Sequence, residues 1–346
     1  MKILVTGGAG FIGSNFVRHM LAEHAGYNLT VVDKLTYAGN LSNLGSFQDC
    51  PHFRFVHMDI ADPEIADLVR DCDAVVNFAA ESHVDRSIDD GSVFVRSNVE
   101  GTFRLVEAVR QNKVGRFIQI STDEVYGSLG PDGSFCETTP LAPRSPYAAT
   151  KAAADLLVLA AAHTYGAPCI ITRCSNNYGP YQFPEKFIPL MIAQALAGEA
   201  LPLYGDGRNV RDWIHASDHC RALDLVLHRG REGEIYNIGG ECERENVSVA
   251  RRILELLGRP PELIRFVADR PGHDRRYSIN CDKLKKELGW QPRWDFDSGL
   301  AETIRWYQEN RDWLDGVRSG AYRAYFARHY HQREEFVARQ RCRVTP

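Results

Sequence analysis

Through the first half of the chain, short apolar runs alternate with longer segments in which apolar positions recur at helical spacing. Residues 3–6, 29–33, 53–57, 74–78, 117–121 and 169–173 are dominated by Val, Ile and Phe, and several lack polar alternation. Such runs suit strands covered on both faces. Between them, residues 11–23, 64–70, 93–111 and 147–165 carry the period of amphipathic helices. Strand–helix alternation predicts an α/β fold, a doubly wound parallel sheet of Rossmann type.

The rhythm changes after Tyr178. Pro180, Pro184, Pro189 and Pro202 punctuate the next segment, and Gly205-Asp206-Gly207 reads as a turn. Helical periodicity returns at 218–227, 247–257 and 297–310, the last with Leu300, Ile304 and Tyr307 on one face. We read residues 1–178 as the sheet domain, to which some later segments return. Residues 179–330 are read mainly as a smaller α/β cap that closes over it, and 331–346 as a tail.

Composition narrows the picture. The 346 residues are 44% hydrophobic and 25% charged, which excludes wholesale disorder. A formal net charge of −4 gives no reason to expect nucleic acid or an anionic membrane as partner. No apolar run is long enough to span a bilayer, so no transmembrane helix is expected. Met1-Lys2 leads straight into Ile3-Leu4-Val5-Thr6, too short an apolar stretch for a signal peptide. The nine cysteines are odd in number and include no Cys-x-x-Cys pair. Free cytosolic thiols and a cytoplasmic location are expected, with no disulfide scaffold and no metal.

Thr6-Gly7-Gly8-Ala9-Gly10-Phe11-Ile12-Gly13 links the first strand to the first helix. Gly7, Gly10 and Gly13 permit a tight turn and close approach to a pyrophosphate, and the helix start offers unpaired N–H groups to it. Asp33 ends the second strand, placed to accept hydrogen bonds from ribose hydroxyls and to repel a 2′-phosphate. The cofactor expected is NAD. Asp59, before Ile60, follows the third strand; it suits either the exocyclic amine of adenine or the N-cap of the next helix.

Tyr147 and Lys151 share one helix face at i, i+4 spacing. A neighbouring ammonium, helped by an oxidised nicotinamide, favours the phenolate, which takes a proton from a hydroxyl while hydride leaves the same carbon. Ser121-Thr122-Asp123-Glu124 closes the fifth strand. Successive strand residues point to opposite faces, so Asp123 and Glu124 share a site only if the chain bends there. An acid and a base at one sheet edge suit paired proton transfers, one carboxyl protonated and the other ionised.

These motifs resemble the extended short-chain dehydrogenase/reductase superfamily and, within it, the dTDP-glucose 4,6-dehydratases. The likeness runs from residue 1 to about 306. Beyond the glycine loop and the Tyr–Lys pair it is carried by residues 33–40, 79–87 and 121–127, by 175–182, by Arg211-Asp212-Trp213 and by Arg270-Pro271-Gly272-His273-Asp274. The Thr-Asp-Glu triplet is its most specific part. The resemblance implies a homodimer, paired through the helices at 93–111 and 148–165, acting on dTDP-glucose. Tyr147, supported by Lys151, would take the C4 hydroxyl proton as hydride passes to NAD, with Thr122 bonded to the C4 oxygen. Glu124 would remove the C5 proton and Asp123 would protonate the departing C6 hydroxyl, after which hydride returns to C6. Cofactor contacts would include Phe11, Ile12, Asp33, Lys34, Thr36, Asp59, Ile60, Ala79, Ala80, Ser97, Tyr147, Lys151 and Asn177. Substrate contacts would include Ser82, Thr122, Asn176, Lys186, Pro202, Tyr204, Arg211, Asn246, Arg270 and His273. Lys186 and the forked Arg211 suit a diphosphate, and Tyr204 suits stacking on a base.

Asn209-Val210 and the charged stretch 241–245 depart from the pattern near the expected base site, and leave thymidine against uridine open. Two further readings stand beside the first. A nucleotide-sugar 4-epimerase or decarboxylase would share everything except a role for Asp123 and Glu124. A non-catalytic NAD-binding regulator would keep the fold without turnover.

Overall fold

The computed structural model describes residues 1–270 and 272–318, with Tyr322, Phe326, Ala327 and Tyr330 beyond them. Pro271, Cys342 and the tail expected over 331–346 lie outside the described residues.

Twelve strands occur among the described residues: β1 (Lys2–Thr6), β2 (Asn28–Asp33), β3 (Phe53–His57), β4 (Ala74–Asn77), β5 (Arg116–Thr122), β6 (Cys169–Cys174), β7 (Asn176–Tyr178), β8 (Leu201–Tyr204), β9 (Val210–His215), β10 (Ile235–Ile238), β11 (Glu243–Glu245) and β12 (Ile264–Val267). Seven form one parallel sheet in the order β10-β6-β5-β4-β1-β2-β3. The uninterrupted apolar runs follow from burial on both faces. Ile3 and Val5 pack with Phe16, Val17 and Leu223 on one side. Leu4 between them packs with Leu105, Val109 and Val158 on the other. The helices Phe11–Glu23 and Ala216–Arg229 therefore cover one face, and Gly101–Asn112 and Pro146–Tyr165 the opposite face.

The chain runs outward from β1 to β3, then returns to place β4 on the other side of β1. Connections leave in opposite directions at that point, and a crevice opens beyond the carboxyl ends of the strands. Past Tyr178 come a three-stranded sheet, β11-β9-β7, and a two-stranded one, β12-β8. β10 lies beside β6 in the large sheet.

Two elements differ from the sequence expectation. The helix expected over 93–111 is broken in its winding, because Val95–Glu100 forms a π-helical stretch. The extra residue per turn leaves Ser97 and Asn98 both buried. The helix Phe187–Ala197 was masked by its own composition, since Ile188 through Ala195 are all buried and no polar face marks a period. Pro189 does not interrupt it, because the first helical turn needs no N–H from that residue.

Candidate active site

β1 ends at Thr6 and the chain turns at Gly7, whose φ is +68°. A Cβ there would stand 2.5 Å from the Ala79 nitrogen, so a side chain is excluded by both conformation and space. The helix that follows has Gly10 at its N-cap and no side chain capping it. Its first N–H groups are thus offered to an anion from the loop. Gly7, Gly10, Phe11, Ile12, Gly13, Asp33, Lys34, Thr36, Asp59, Ile60, Ala79, Ala80 and Ser97 line one cavity with Tyr147, Lys151 and Asn177. Asp33 is fixed at the end of β2: Oδ2 accepts from the Ala9 amide (3.0 Å) and Oδ1 from Leu35 (2.8 Å). Each oxygen keeps a further lone pair for a hydroxyl donor. This buried, oriented carboxylate and the uncapped helix start fit a dinucleotide without a 2′-phosphate.

Lys34 Nζ donates to Ser97 Oγ at 2.5 Å and stands 3.6 Å from Glu81. The π-helical stretch thus supplies Ser97 to the cavity, while Asn98 ties the backbone of Glu81 to Thr150. Asp59 accepts from the Ala61 amide and from Arg96 Nε. It does not cap the next helix, Ile65–Arg70, whose N-cap is Glu64. The capping alternative is overturned, because Asp62 and Pro63 intervene.

At the other end of the cavity, β5 stops at Thr122 and a single 3₁₀ turn, Asp123–Tyr126, runs to Gly127. This is the bend that lets consecutive acids meet one space. Thr122 Oγ1 donates to Asp123 Oδ1 (3.2 Å) and accepts from the Glu124 amide (3.3 Å). Asp123 Oδ2 is buried with no partner. Burial raises the Asp123 carboxyl well above its ordinary range, and Glu124 and Asp212 push it further. Burial also raises Glu124, but Arg270, Lys186 and Arg211 oppose the rise.

Tyr147 and Lys151 project from the first turns of the helix Pro146–Tyr165, which Ser145 caps by accepting from the Ala148 amide. Lys151 Nζ donates to the Ile120 carbonyl at 2.6 Å. Burial, then Glu124, holds the Tyr147 hydroxyl well above its ordinary range in the protein alone, and the Thr122 hydroxyl opposes the rise. Burial lowers Lys151 itself.

Ser82, Thr122, Asn176 and Lys186 line the same cavity. Pro202, Tyr204, Arg211, Asn246, Arg270 and His273 line a second one, which shares Glu124, Asn176, Glu185 and Lys186 with the first. The two adjoin at Glu124. Lys186 Nζ donates to the Ser82 carbonyl at 2.6 Å. Arg270 Nε and Asn246 Oδ1 are buried without partners, a donor and an acceptor left for a polar ligand.

Two substrate expectations meet different surroundings. The Arg211 fork donates to the carbonyls of Val210 (2.8 Å) and Asp274 (2.9 Å) and lies on the Tyr277 ring. Its bidentate edge is therefore engaged by backbone. The Tyr204 ring stacks on Tyr330, centroids 5.7 Å apart, and its hydroxyl donates to Asp85. His273 pairs with Asp269 at 2.6 Å, and burial lowers its imidazole to about 4.

Sequence reasoning assigned no role to Glu81, Asp85, Glu185 or Tyr277. Glu185 is buried against Arg86 at 3.0 Å, and it lines both cavities. Glu81 and Asp85 lie within the motif at 79–87, where an acidic residue on each side of Ser82-His83 was the available signal. Glu185, beside Lys186, had none, since its partner is 99 positions away.

A crevice that joins a dinucleotide loop to a buried Tyr–Lys pair defines the extended short-chain dehydrogenase/reductase class of NAD-binding enzymes. Residues 4–303 match the family model described as GDP-mannose 4,6 dehydratase. A dTDP-glucose 4,6-dehydratase of Xanthomonas campestris pv. campestris (strain B100) is 53% identical over 341 residues, 92% of this chain and 97% of that protein. A solved dTDP-glucose 4,6-dehydratase from Streptomyces venezuelae, with NAD and TYD bound, is 52% identical with a TM-score of 0.90, covering 92% of this chain and all of that one. The Bacillus anthracis enzyme in complex with NAD gives a TM-score of 0.86 at 52% identity, over 92% of this chain and 99% of that one. The chain belongs to the dTDP-glucose 4,6-dehydratases.

Proposed function

We propose that the chain converts dTDP-glucose to dTDP-4-keto-6-deoxyglucose, with the loss of one water and no net change in bound NAD. The observation that carries this reading is the acid pair in one buried space, with Asp123 beside like charges and Glu124 beside cations. Elimination across C5–C6 needs a base and an acid one bond apart, and an epimerase needs neither.

NAD, when bound, supplies a hydride acceptor that takes hydride from C4 and returns it to C6. Tyr147, as the phenolate that the Lys151 ammonium and an oxidised nicotinamide would favour, removes the C4 hydroxyl proton, and Lys151 is held in place by the Ile120 carbonyl. Thr122 orients the C4 oxygen. The C4 ketone acidifies the C5 hydrogen, which Glu124 removes. Asp123, kept protonated by its surroundings, gives its proton to the C6 hydroxyl, which leaves as water. Glu124, its proton exchanged with solvent, returns one to C5, and the proton held by Tyr147 is released as Asp123 takes one up, which resets all three groups. Lys186, Arg270 and Asn246 hold the nucleotide diphosphate end. Arg211 turns to it from its backbone partners, and a base stacks on Tyr204 by replacing Tyr330.

The proposal extends to organisation. Residues 1–178 bind NAD, with β10 and the helix Ala216–Arg229 returning to that unit, and 179–330 mainly bind the sugar nucleotide. Val95, Phe103 and Leu156, on the π-helical stretch and the two adjacent helices, each expose half or more of their surface. Burying such a face is the reason to propose a homodimer. Sedimentation at twice the chain mass supports it, and a single-chain mass at micromolar concentration contradicts it. Free thiols at all eight described cysteines support a cytoplasmic location. No helix among the described residues is long and apolar enough to cross a membrane.

The test is turnover of dTDP-glucose and UDP-glucose in parallel. The proposal expects higher kcat/KM for dTDP-glucose and a product lighter by one water. A product of unchanged composition contradicts it.

A further inference from the structure

Far from the crevice, three imidazoles close on one carboxylate. Asp224 and His228 lie at i, i+4 on one face of the helix Ala216–Arg229. His24 ends the neighbouring helix Phe11–Glu23, and His19 lies in its last turns. His24 Nε2 is 3.0 Å from both oxygens of Asp224, His19 Nε2 is 2.8 Å from Oδ2, and His228 Nδ1 is 2.9 Å from Oδ1. One ligand atom each from His24, Asp224 and His228 lies within 4.8 Å of the others.

We propose that His24, Asp224 and His228 form a binding site for one divalent transition cation of the zinc type, with water as the fourth ligand and His19 bonded to Asp224 from outside. Imidazole nitrogens and one carboxylate are borderline donors that suit zinc, whereas magnesium and calcium demand oxygen. A zinc tetrahedron with bonds of 2.0–2.1 Å has ligand atoms about 3.3 Å apart; the His24 and His228 contacts to Asp224, 3.0 and 2.9 Å, open by a few tenths of an ångström, and all three ligand atoms already lie within 4.8 Å of one another. His228 Nδ1 lies 2.8 Å from the Asp224 main-chain carbonyl and Nε2 2.8 Å from Tyr27 Oη; on ligation Nδ1 gives up the carbonyl, and Tyr27 accepts from the Nε2–H of the ligating tautomer. Such an outer partner is what metal-bound histidines have. The side chains retain between 17% and 28% exposure, enough for an ion to enter. They lie on the face of the large sheet opposite the helices Gly101–Asn112 and Pro146–Tyr165, so pairing through those helices leaves the site open. The bound cation fastens the helix behind the glycine loop to the helix Ala216–Arg229.

The test is calorimetric titration of the NAD-loaded, chelator-treated full chain with zinc chloride, with cobalt chloride as optical probe. The expected result is one ion per chain, a raised Tm and the intense visible absorption of four-coordinate cobalt. The double variant His24→Ala/His228→Ala should bind zinc about 100-fold more weakly, at least what loss of an outer partner costs. It should lose the Tm rise and keep zinc-free turnover, which shows that it folds. His228→Gln, at the most exposed ligand, should by itself abolish the cobalt colour. No saturable binding by the wild type, or equal binding by the variants, overturns the proposal.

Discussion

Asp123 and Glu124 are adjacent in the chain but stand in opposite electrostatic company. The Asp123 carboxyl is buried beside two other acids, Glu124 and Asp212, and its one charge-assisted relief is Arg211. Glu124 is half-buried among Arg270, Lys186 and Arg211, with Asp274 opposing them. Burial raises both, and the neighbours then separate them. A pair of like groups divided this way favours the proton on Asp123 and the charge on Glu124. The division comes from the turn after β5, because an extended strand would have sent the two side chains to opposite faces of the sheet.

Asp123→Asn retains shape and removes the acid. Oxidation at C4 should proceed and elimination should stall, with kcat for product at least about 100-fold lower. Reduced nicotinamide should accumulate on mixing with dTDP-glucose in a stopped-flow spectrophotometer. Normal turnover would show that the C6 hydroxyl is protonated elsewhere.

Tyr147→Phe removes the hydroxyl that faces Thr122. The first step should be lost, with kcat about 100- to 10,000-fold lower and no reduced nicotinamide detected. The same variant should bind NAD as the wild type does, measured by fluorescence quenching, since the ring still packs against Phe94.

His219 is fully buried; its Nδ1 lies 2.8 Å from Asn177 Oδ1 and its Nε2 has no partner. Burial lowers it from 6.5 to about 3. The folded form therefore prefers the neutral ring. The stability this contributes is complete above pH 6.5 and is lost progressively as pH falls toward 3, because the unfolded chain binds the extra proton there. His219→Gln should flatten urea-measured stability against pH between 4.5 and 6 by about 1.4 kcal/mol per pH unit. An unchanged slope would place that proton uptake on other groups.

Asp155 and Arg173 form an ion pair, Nε to Oδ2 at 2.9 Å, with both side chains essentially without exposure. Arg173 also lies over the Tyr126 ring. Asp155→Ala strands the guanidinium and should cost about 3–5 kcal/mol in urea unfolding. Asp155→Ala with Arg173→Met should recover most of that loss, because an apolar pair of similar volume needs no desolvation.

Much of the fold was legible for one reason: β1, β4, β5 and β6 are apolar without alternation because helices cover both faces of the sheet. The second half was less so. β7, β11 and β12 are three or four residues long, and β8 contains Pro202, so no window shows a strand period. The helix Phe187–Ala197 is buried nearly all round and has no amphipathic stripe. In the crevice, local motifs placed the glycine loop, Asp33, the acid pair and Tyr147. What they did not convey is company. The proximity of Glu185 to Arg86, and of Arg211 to the Asp274 carbonyl, joins segments 99 and 63 positions apart. The Tyr147 hydroxyl likewise feels burial and Glu124 more than its helical neighbour Lys151.

The most direct measurement is the mass spectrum of the product formed from dTDP-glucose in heavy water. The account predicts loss of one water and incorporation of one deuterium, located at C5, with that label abolished in Glu124→Gln. A product of unchanged composition, or a dehydrated product without deuterium at C5, would contradict the division of labour between Asp123 and Glu124.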